Sequence, residues 1–297
     1  MSTITTLIEN TPNSVNPNLK AEHGLSLYIE HPEATILFDT GQSGEFLTNA
    51  KLLGKDLTDT DYVIISHGHF DHANGLLRLL STAILPETTK FLVGGEFFYS
   101  KYVQLEDSSY SYIGTALTEQ DIRSKGVKLG KITEDITYLT DHIILFHHFT
   151  QSNSYEHLNQ RFIVTLPASP IKKILPKGWE ATNGGEKPID TFPDEVALGI
   201  VTEQGLIVIV GCSHIGIVNI LTDIQQRVNL PIYMVIGGTH LMEADEQRIN
   251  HTILSMQQLG VQKIAVSHCT GEAATIKLQE VYGTQFIANH TGNVITF

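Results

Sequence analysis

Four strongly apolar runs in this chain each lead into a serine or threonine followed by histidine. They span Asp61–His67, Leu206–His214, Pro231–His240 and Lys263–Gly271. A continuous apolar run predicts a strand that is buried on both faces, as in layered α/β folds. Ligands in such folds bind outside the carboxyl ends of the strands. The four histidines therefore predict one shared site.

The first run continues as His-Gly-His-Phe-Asp-His over residues 67–72. His67 and His69 are two positions apart in a turn, so both rings can reach one ion. Asp71 and His72 are adjacent and can turn toward a second position nearby. Imidazole and carboxylate suit zinc, iron or manganese better than magnesium or calcium. A buried strand before this loop and a predicted helix after it favour a metal centre over a histidine-rich surface loop.

Each later strand-end histidine is by itself a weaker candidate for a metal ligand. The recurrence of the same strand ending strengthens the case for all of them. His214 and His268 are predicted to be metal ligands. His240 is either a ligand or a contact to substrate or to a ligand. His23, in Glu-His-Gly before the first strand of the sheet, is a candidate substrate contact.

Both cysteines of the chain, Cys212 and Cys269, lie one or two positions from strand-end histidines. Two cysteines are too few for a disulfide scaffold, which fits a reducing compartment. Small buried thiols are common structural residues, so a structural role is favoured over metal ligation for both.

Composition narrows the class of protein. With 297 residues, 41% of them hydrophobic, the chain can bury a sizeable core. A net charge of −13 disfavours nucleic-acid binding, which needs a basic surface. The one basic cluster, Lys172, Lys173 and Lys177, is broken by prolines and is interpreted as a solvated loop. No apolar run approaches the roughly 18–20 residues of a membrane span, and no signal peptide precedes the first strand. We therefore expect a cytoplasmic protein with a small-molecule substrate.

Strands and helices are predicted to alternate in both halves of the chain. The predicted strands are Leu25–Glu30, Ala34–Phe38, Tyr62–Ile65, Thr89–Gly94, Ile136–Leu139, Ile143–Phe146, Val196–Thr202, Leu206–Val210, Ile232–Ile236, Ile264–Val266 and Gln285–Ala288, and the predicted helices are Ala73–Ser81, Ile217–Val228, Asp245–Leu259 and Glu272–Tyr282. No charged or low-complexity linker separates the halves. This pattern predicts one α/β domain over residues 1–297, a sandwich of two sheets with helices outside and metal between the halves.

Residues 95 to about 190 have no clear periodicity. Aromatic residues are frequent at positions 97–112, and Gly178–Pro188 has the composition of a loop. The segment is either a mobile lid over the site or a packed connecting segment.

These residues resemble the metallo-β-lactamase superfamily. His67, His69, Asp71 and His72 match its HxHxDH motif, and residues 38–41, Phe-Asp-Thr-Gly, match its FDTG-like strand end. Further matches at residues 21–26, 211–214, 237–240 and 268–271 resemble the subgroup that contains the methanopterin-pathway dihydropterin ribofuranosyl-aminobenzene-phosphate synthase. The resemblance implies a four-layer αββα sandwich of two mixed β-sheets flanked by helices. It also implies two divalent metal ions, zinc in the first place, with manganese or iron as alternatives.

The chain departs from the usual family pattern at one strand end. Where the family places a bridging aspartate, this chain reads Gly-Cys-Ser-His at residues 211–214. Asp194 and Glu195, just upstream, are candidate substitutes for that carboxylate.

The leading functional hypothesis is a metal-dependent hydrolase that uses a metal-activated hydroxide on an ester, lactone or phosphoester. One ion would be held by His67, His69 and His214, and the other by Asp71, His72 and His268, with Asp71 also orienting the water. Two alternatives stay open, because the fold does not select the substrate. One is a synthase or lyase for a pterin-like or phosphorylated aromatic substrate, and the other is an iron-dependent oxidoreductase.

Overall fold

The structure is a computed structural model that describes residues 2–82, 84–165 and 188–297, together with the backbone of residues 174–175. The basic cluster Lys172, Lys173 and Lys177, and all of the expected loop Gly178–Pro188 except Pro188, lie outside the described residues. The strands are β1 (Thr3–Ile8), β2 (Ser26–His31), β3 (Ala34–Phe38), β4 (Tyr62–Ile65), β5 (Lys90–Gly94), β6 (Ser100–Gln104), β7 (Tyr110–Tyr112), β8 (Lys128–Ile132), β9 (Ile136–Tyr138), β10 (Ile143–Phe146), β11 (Phe162–Thr165), β12 (Ile174–Leu175), β13 (Ala197–Thr202), β14 (Gly205–Val210), β15 (Ile232–Gly237), β16 (Lys263–Val266) and β17 (Val294–Thr296).

Along the chain, the helices mostly alternate with strands in both halves. They are α1 (Glu45–Leu52), α2 (Phe70–Ala73), α3 (Gly75–Thr82), α4 (Glu119–Arg123), α5 (Ile217–Val228), α6 (Glu246–Gln258) and α7 (Glu272–Tyr282). Local sequence explains their bounds. Asp245 caps the start of α6 by accepting a hydrogen bond from the backbone N–H of Arg248, and Asn229 ends α5 in the left-handed conformation.

Two mixed sheets form the centre of the fold. The first has the order β17-β1-β2-β3-β4-β5-β8, with antiparallel pairs from β17 to β3 and parallel pairs from β3 to β8. The second has the order β16-β15-β14-β13-β10-β9. Its strands β14, β15 and β16 are parallel to one another. Parallel neighbours end at the same edge, so the histidines that follow these strands are brought together.

The sheets pack face to face through an apolar layer. Side chains of the first sheet, such as Ile29 and Ile64, belong to the same buried cluster as Leu198 and Ile209 of the second. A second cluster lies between the first sheet and α1 and α3. A third lies between the second sheet and α5, α6 and α7, where α5 buries residues at helical spacing. The order helix, sheet, sheet, helix confirms the expected four-layer αββα architecture.

The segment at 95–190 holds structure that the sequence did not predict. Strands β6, β7, β11 and β12 form a small antiparallel sheet with the order β11-β6-β7-β12. Tyr102, Tyr110 and Ile163 are buried in a small core of their own, with Tyr112 packed against it. The aromatic residues therefore serve as packing within this third sheet.

Most expected elements agree with the structure, and two do not. The expected helix Ala73–Ser81 is two helices, α2 and α3. The expected strand Gln285–Ala288 is wrong, since Gly283–Gln285 is a 3-10 turn and Phe286 forms only an isolated bridge to Ile264. The last strand is β17, which pairs with β1 and ties the two chain ends into the first sheet. Within the described ranges, no helix has the length and apolar character needed to cross a bilayer.

Candidate metal centre

The histidine loop starts where β4 ends and is fixed by the neighbouring parallel strand β3. Asp39, directly after β3, is fully buried and has a positive φ of 59°. Its carboxylate accepts hydrogen bonds from Ser66 N at 2.7 Å and Ser66 Oγ at 2.8 Å. The same carboxylate lies 2.6 Å from His72 Nδ1. Asp39 therefore holds both ends of the loop.

The second sheet approaches this loop closely at the end of β14. A Cβ added to Gly211 would lie 2.1 Å from Ser66 Oγ, so a larger residue does not fit there. The serine hydroxyl, which donates to Asp39, also lies 3.0 Å from His67 Nδ1. Since the hydroxyl proton goes to Asp39, His67 Nδ1 donates, and His67 Nε2 keeps its lone pair. The His67 ring is thereby oriented with Nε2 toward the second sheet.

Three histidines form the first candidate ligand cluster. His67 Nε2 lies 3.2 Å from His214 Nε2, and the ring centroids of His69 and His214 are 4.7 Å apart. All three rings are buried, and one nitrogen of each lies within 4.8 Å of the others. The backbone N–H groups of His214 and Ile215 donate to the buried carboxylate of Glu195, which fixes the loop after β14.

Four residues of different chemistry form the second cluster, beside the first. They are Asp71, His72, Cys212 and His268. Asp71 Oδ2 lies 3.1 Å from His268 Nε2, and Cys212 Sγ lies 3.1 Å from His72 Nε2. The ring centroids of His67 and His72 are 4.3 Å apart, so the two clusters are immediate neighbours.

The outer nitrogen of each histidine in the second cluster has its own polar partner. His72 Nδ1 lies against Asp39, and His268 Nδ1 lies 2.9 Å from Asn10 Oδ1. Both partners are acceptors, so each Nδ1 donates and each Nε2 faces the cluster with a lone pair. The backbone N–H of His268 also donates to Glu9 at 2.6 Å.

The protonation states of most cluster residues suit divalent metal ions. At His72, burial opposes the charge but Asp39 and Asp71 raise the pKa, so an ion bound there would displace a proton. Burial lowers the pKa of His69 to about 3 and lowers the pKa values of His67 and His214 well below the usual range. Burial opposes the charge of Asp71, yet the adjacent histidines hold its pKa well below the usual range. Neutral imidazole and ionised carboxylate are the forms that bind metal. His69 Nε2 is buried without a hydrogen-bond partner among the described residues, as a ligand atom would be in a metal-free structure. The residues therefore fit two ions.

Cys212 lies at the strand end where the family has a bridging aspartate and this chain has no carboxylate. Asp194 does not take that place, because it pairs with Lys101 and accepts from the backbone N–H of Gly68. Glu195 does not take it either, because both its oxygens bind backbone N–H groups after β14. Neither candidate therefore substitutes for the family aspartate. The structure brings the Cys212 thiol into the second cluster instead.

Replacing Cys212 by serine tests whether the thiol binds metal. Burial raises the pKa of this thiol, so its thiolate needs a cation beside it. We expect cobalt(II)-loaded protein to show the near-ultraviolet charge-transfer absorption of a thiolate ligand, and Cys212→Ser to lose it together with tight binding of one ion. Cys269→Ser is the matched control, because Cys269 is a buried free cysteine that belongs to neither ligand cluster. An unchanged spectrum in Cys212→Ser contradicts this assignment.

A buried ion-pair network joins the third sheet to the histidine loop. Lys101 in β6 lies 2.7 Å from Asp190 and 2.9 Å from Asp194. Burial opposes the lysine charge, but the two carboxylates raise its pKa. Asp194 Oδ2 accepts from Gly68 N at 2.8 Å, between the first two histidines of the motif. The position of the loop therefore depends on residues far away in sequence.

Aromatic side chains form a wall over the first cluster. Phe192 stacks on His214 with a centroid separation of 4.1 Å and an interplanar angle of 3°. Phe162 of β11 lies 5.6 Å from His69 and 5.8 Å from His240, both between ring centroids. An apolar wall lowers the local dielectric and strengthens electrostatic interactions inside the site.

The two expected substrate contacts, His240 and His23, both reach the centre. The His240 ring lies 4.3 Å from that of His214, outside the ligand clusters. His23 Nε2 lies 3.2 Å from Asp71 Oδ2, and nearly half of the His23 side chain is exposed. His23 thus connects Asp71 to the solvent side of the site.

Several residues of this centre were missed from the sequence. They are Asn10, Lys101, Phe162, Phe192 and Asp190. None belongs to a motif, and each reaches the site only through the fold. A lysine in the apolar, aromatic-rich stretch at 97–112 was the one available signal, since lysine is rarely buried without a partner.

The two sheets, with two adjacent clusters between them that could hold metal ions, have the architecture of the metallo-β-lactamase fold. The family model described as "Metallo-beta-lactamase superfamily" matches residues 19–135. The chain belongs to this superfamily.

Two relatives come from Methanocaldococcus jannaschii. The 7,8-dihydropterin-6-methyl-4-(beta-D-ribofuranosyl)-aminobenzene-5'-phosphate synthase is 32% identical, over 93% of this chain and 90% of the relative. The uncharacterized protein MJ0448 is 26% identical, over 93% of each chain. The crystal structure of Tm1679, described as a metal-dependent hydrolase of the beta-lactamase superfamily, is 28% identical and has a TM-score of 0.79 over 100% of this chain and 99% of that one.

Proposed function

We propose that the protein is a metal-dependent hydrolase that holds two divalent ions and acts on an ester, lactone or phosphoester. The observation that carries the proposal is the pair of adjacent clusters, His67, His69 and His214 beside Asp71, His72, Cys212 and His268. Zinc is the ion that the donor set suits best, since it combines imidazole, carboxylate and thiolate. The likeness to Tm1679 supports a hydrolase.

The bound ions would lower the pKa of a water molecule bound to them to near neutral and would polarise the scissile group of the substrate. The protein residues prepare this chemistry. Asp71 would orient the attacking water, because its carboxylate is ionised and lies among the ligands of the second cluster. Asp39 and Asn10 hold the His72 and His268 rings in the tautomer that presents Nε2. Phe162 and Phe192 would exclude bulk water, and His240 and His23 would contact the substrate.

A second candidate is a synthase for a pterin-like or phosphorylated aromatic substrate. The observation that favours it is the 32% identity to the named M. jannaschii synthase over nearly the whole chain. The aromatic side chain of Phe162 beside His240 is compatible with an aromatic substrate.

Metal loading tests the metal centre, and the products formed by the loaded protein distinguish a hydrolase from a synthase. Protein stripped with a chelator and reloaded with zinc, manganese or iron(II) is expected to bind two equivalents and to gain hydrolysis on a panel of esters, lactones and phosphodiesters. Chelated protein is the control. Less than one equivalent of tightly held metal under every loading contradicts the metal centre itself. Joining of a pterin-like and a phosphorylated aromatic substrate without net hydrolysis favours the synthase.

A further inference from the structure

We propose that His23 is a hydrogen-bond donor at the edge of the second cluster rather than a metal ligand, and that Asn10 is the positioning residue that makes it so. The inference rests on the proposed metal centre and assigns the proton that His23 presents there. His23 and His268 lie side by side, with ring centroids 4.9 Å apart. Their Nε2 atoms lie 3.2 Å and 3.1 Å from the same oxygen, Asp71 Oδ2. Distance alone therefore does not separate a ligand from a donor.

The backbone N–H of Gly24 fixes the orientation of the Asn10 side-chain amide. This N–H can only donate, and its nitrogen lies 3.1 Å from Asn10 Oδ1. The opposite orientation of the amide would place two donors against each other. Gly24 itself packs against the backbone of Asp71, since a Cβ added to it would lie 2.5 Å from the Asp71 carbonyl oxygen. The oxygen and the nitrogen of the Asn10 amide are therefore distinguished by their surroundings.

The two ends of this amide select opposite tautomers in the two neighbouring histidines. Asn10 Oδ1 lies 2.9 Å from His268 Nδ1, so this Nδ1 donates and His268 Nε2 keeps its lone pair. Asn10 Nδ2 lies 3.3 Å from His23 Nδ1. An amide nitrogen only donates, so His23 Nδ1 accepts and His23 Nε2 carries the proton. One asparagine thus prepares one ring to bind a cation and the other ring to donate.

The contacts of His268 agree with its assigned tautomer. His268 Nε2 is buried and has no hydrogen-bond partner in the described part of the chain, although Asp71 Oδ2 is 3.1 Å away. Two acceptors that face each other at this distance are placed as two ligands of one ion would be. Glu9, next to Asn10 in the chain, also accepts from the backbone N–H of His268 at 2.6 Å. The segment after β1 therefore fixes both the backbone and the ring of His268.

The position of His23 suits a donor. Its side chain is 47% exposed, whereas that of His268 is fully buried. A protonated Nε2 has no lone pair for a cation. On the solvent side of Asp71, its N–H can instead donate to the carboxylate or to an oxygen of a bound substrate. The expected substrate contact of His23 is thereby narrowed to a contact with a hydrogen-bond acceptor.

Nitrogen NMR of the imidazole rings tests both tautomers directly. Spectra of isotope-labelled, metal-free protein at an alkaline pH, where the rings are neutral, distinguish a protonated Nδ1 from a protonated Nε2. We expect His23 to be protonated at Nε2 and His268 at Nδ1, with the signals assigned by their loss in His23→Gln and His268→Gln. Asn10→Asp replaces the amide donor by an acceptor, so the His23 proton is expected to move to Nδ1 while His268 is unchanged. Asn13→Asp is the matched control, because the Asn13 amide bonds to backbone groups of the same region.

Zinc affinity measures the consequence for the second cluster. Asn10→Leu removes both amide contacts and is expected to weaken binding of the second zinc equivalent by about 10- to 100-fold, the range for residues that orient a ligand. Asn10→Asp keeps the acceptor for His268 and is expected to recover most of this affinity. His23→Gln removes the imidazole but keeps an N–H donor, so it is expected to bind both equivalents as wild type does.

A wild-type His23 that carries its proton at Nδ1 overturns the inference. A second-zinc affinity that falls as far in His23→Gln as in His268→Gln overturns it too, since His23 would then be a ligand. If Asn10→Leu does not fold, the wild-type spectrum and His23→Gln decide the question. Neither measurement involves turnover. A protein that hydrolyses nothing on the substrate panel would contradict the proposed hydrolase without affecting this result, and the spectra of metal-free protein do not depend on zinc binding.

Discussion

His69→Ala is expected to lose most of its metal and nearly all of its activity while keeping its fold. His69 is a buried member of the first cluster, and its Nε2 has no protein partner within the described residues. Replacing groups that only support a ligand costs 10- to 100-fold in metal affinity, so the loss of a ligand is expected to exceed about 100-fold. The fold is retained because no described residue depends on a hydrogen bond from this ring.

Metal content, circular dichroism and hydrolysis measured on the same preparation check this expectation. His251→Ala is the control, because His251 is exposed on α6 and its ring contact among the described residues is with Tyr155. Full activity with full metal content in His69→Ala would show that the ligand assignment is wrong. Loss of the native circular dichroism spectrum would instead assign His69 a structural role.

The histidines and the aspartate of the two candidate clusters could be predicted from the sequence because their signals are local. HxHxDH is six consecutive residues, and the strand runs before His67, His214 and His268 are buried on both faces, which makes them continuous and apolar. Parallel pairing of β14, β15 and β16 then aligns the strand ends without further information. Motif and strand position thus locate each of these candidate ligands within a few residues.

The residues that support the candidate ligands could not be predicted from the sequence, because contacts between residues far apart in the chain determine their positions. Asn10 and His268 are 258 positions apart, and Lys101 and Asp194 are 93 apart. Cys212 was assigned a structural role from its residue type alone. Only the approach of β14 to Ser66, which the absent side chain of Gly211 permits, shows that the thiol lies against His72.

The third sheet was missed for a different reason. Strands β7 and β12 have three and two residues, too short to show alternation. The aromatic residues of β6 and β7 pack against one another in a small core, as Tyr102 and Tyr112 do at 5.3 Å between ring centroids. Hydrophobic periodicity therefore gave no indication of this sheet. The sheet is nevertheless connected to the histidine loop through Lys101.

Lys101→Met is expected to lower the free energy of unfolding by about 3–5 kcal/mol, the range for removing one partner of a buried ion pair. The loss is large because Asp190 and Asp194 would keep buried charges without their cation. Metal affinity is expected to fall as well, since Asp194 holds the backbone of Gly68 between His67 and His69. Chemical denaturation of the metal-free protein measures the first effect, and metal competition measures the second.

Lys131→Met is the matched control, because Lys131 Nζ forms an ion pair of the same length, 2.7 Å to Glu119, at the surface. Exposed pairs contribute about 0–1 kcal/mol, so this variant should unfold close to wild type. Equal destabilisation by both variants would contradict the buried network. Adding Asp190→Asn and Asp194→Asn to Lys101→Met removes the uncompensated charges and should recover part of the stability. It should not restore metal affinity, because the anchor of the loop to β6 stays broken.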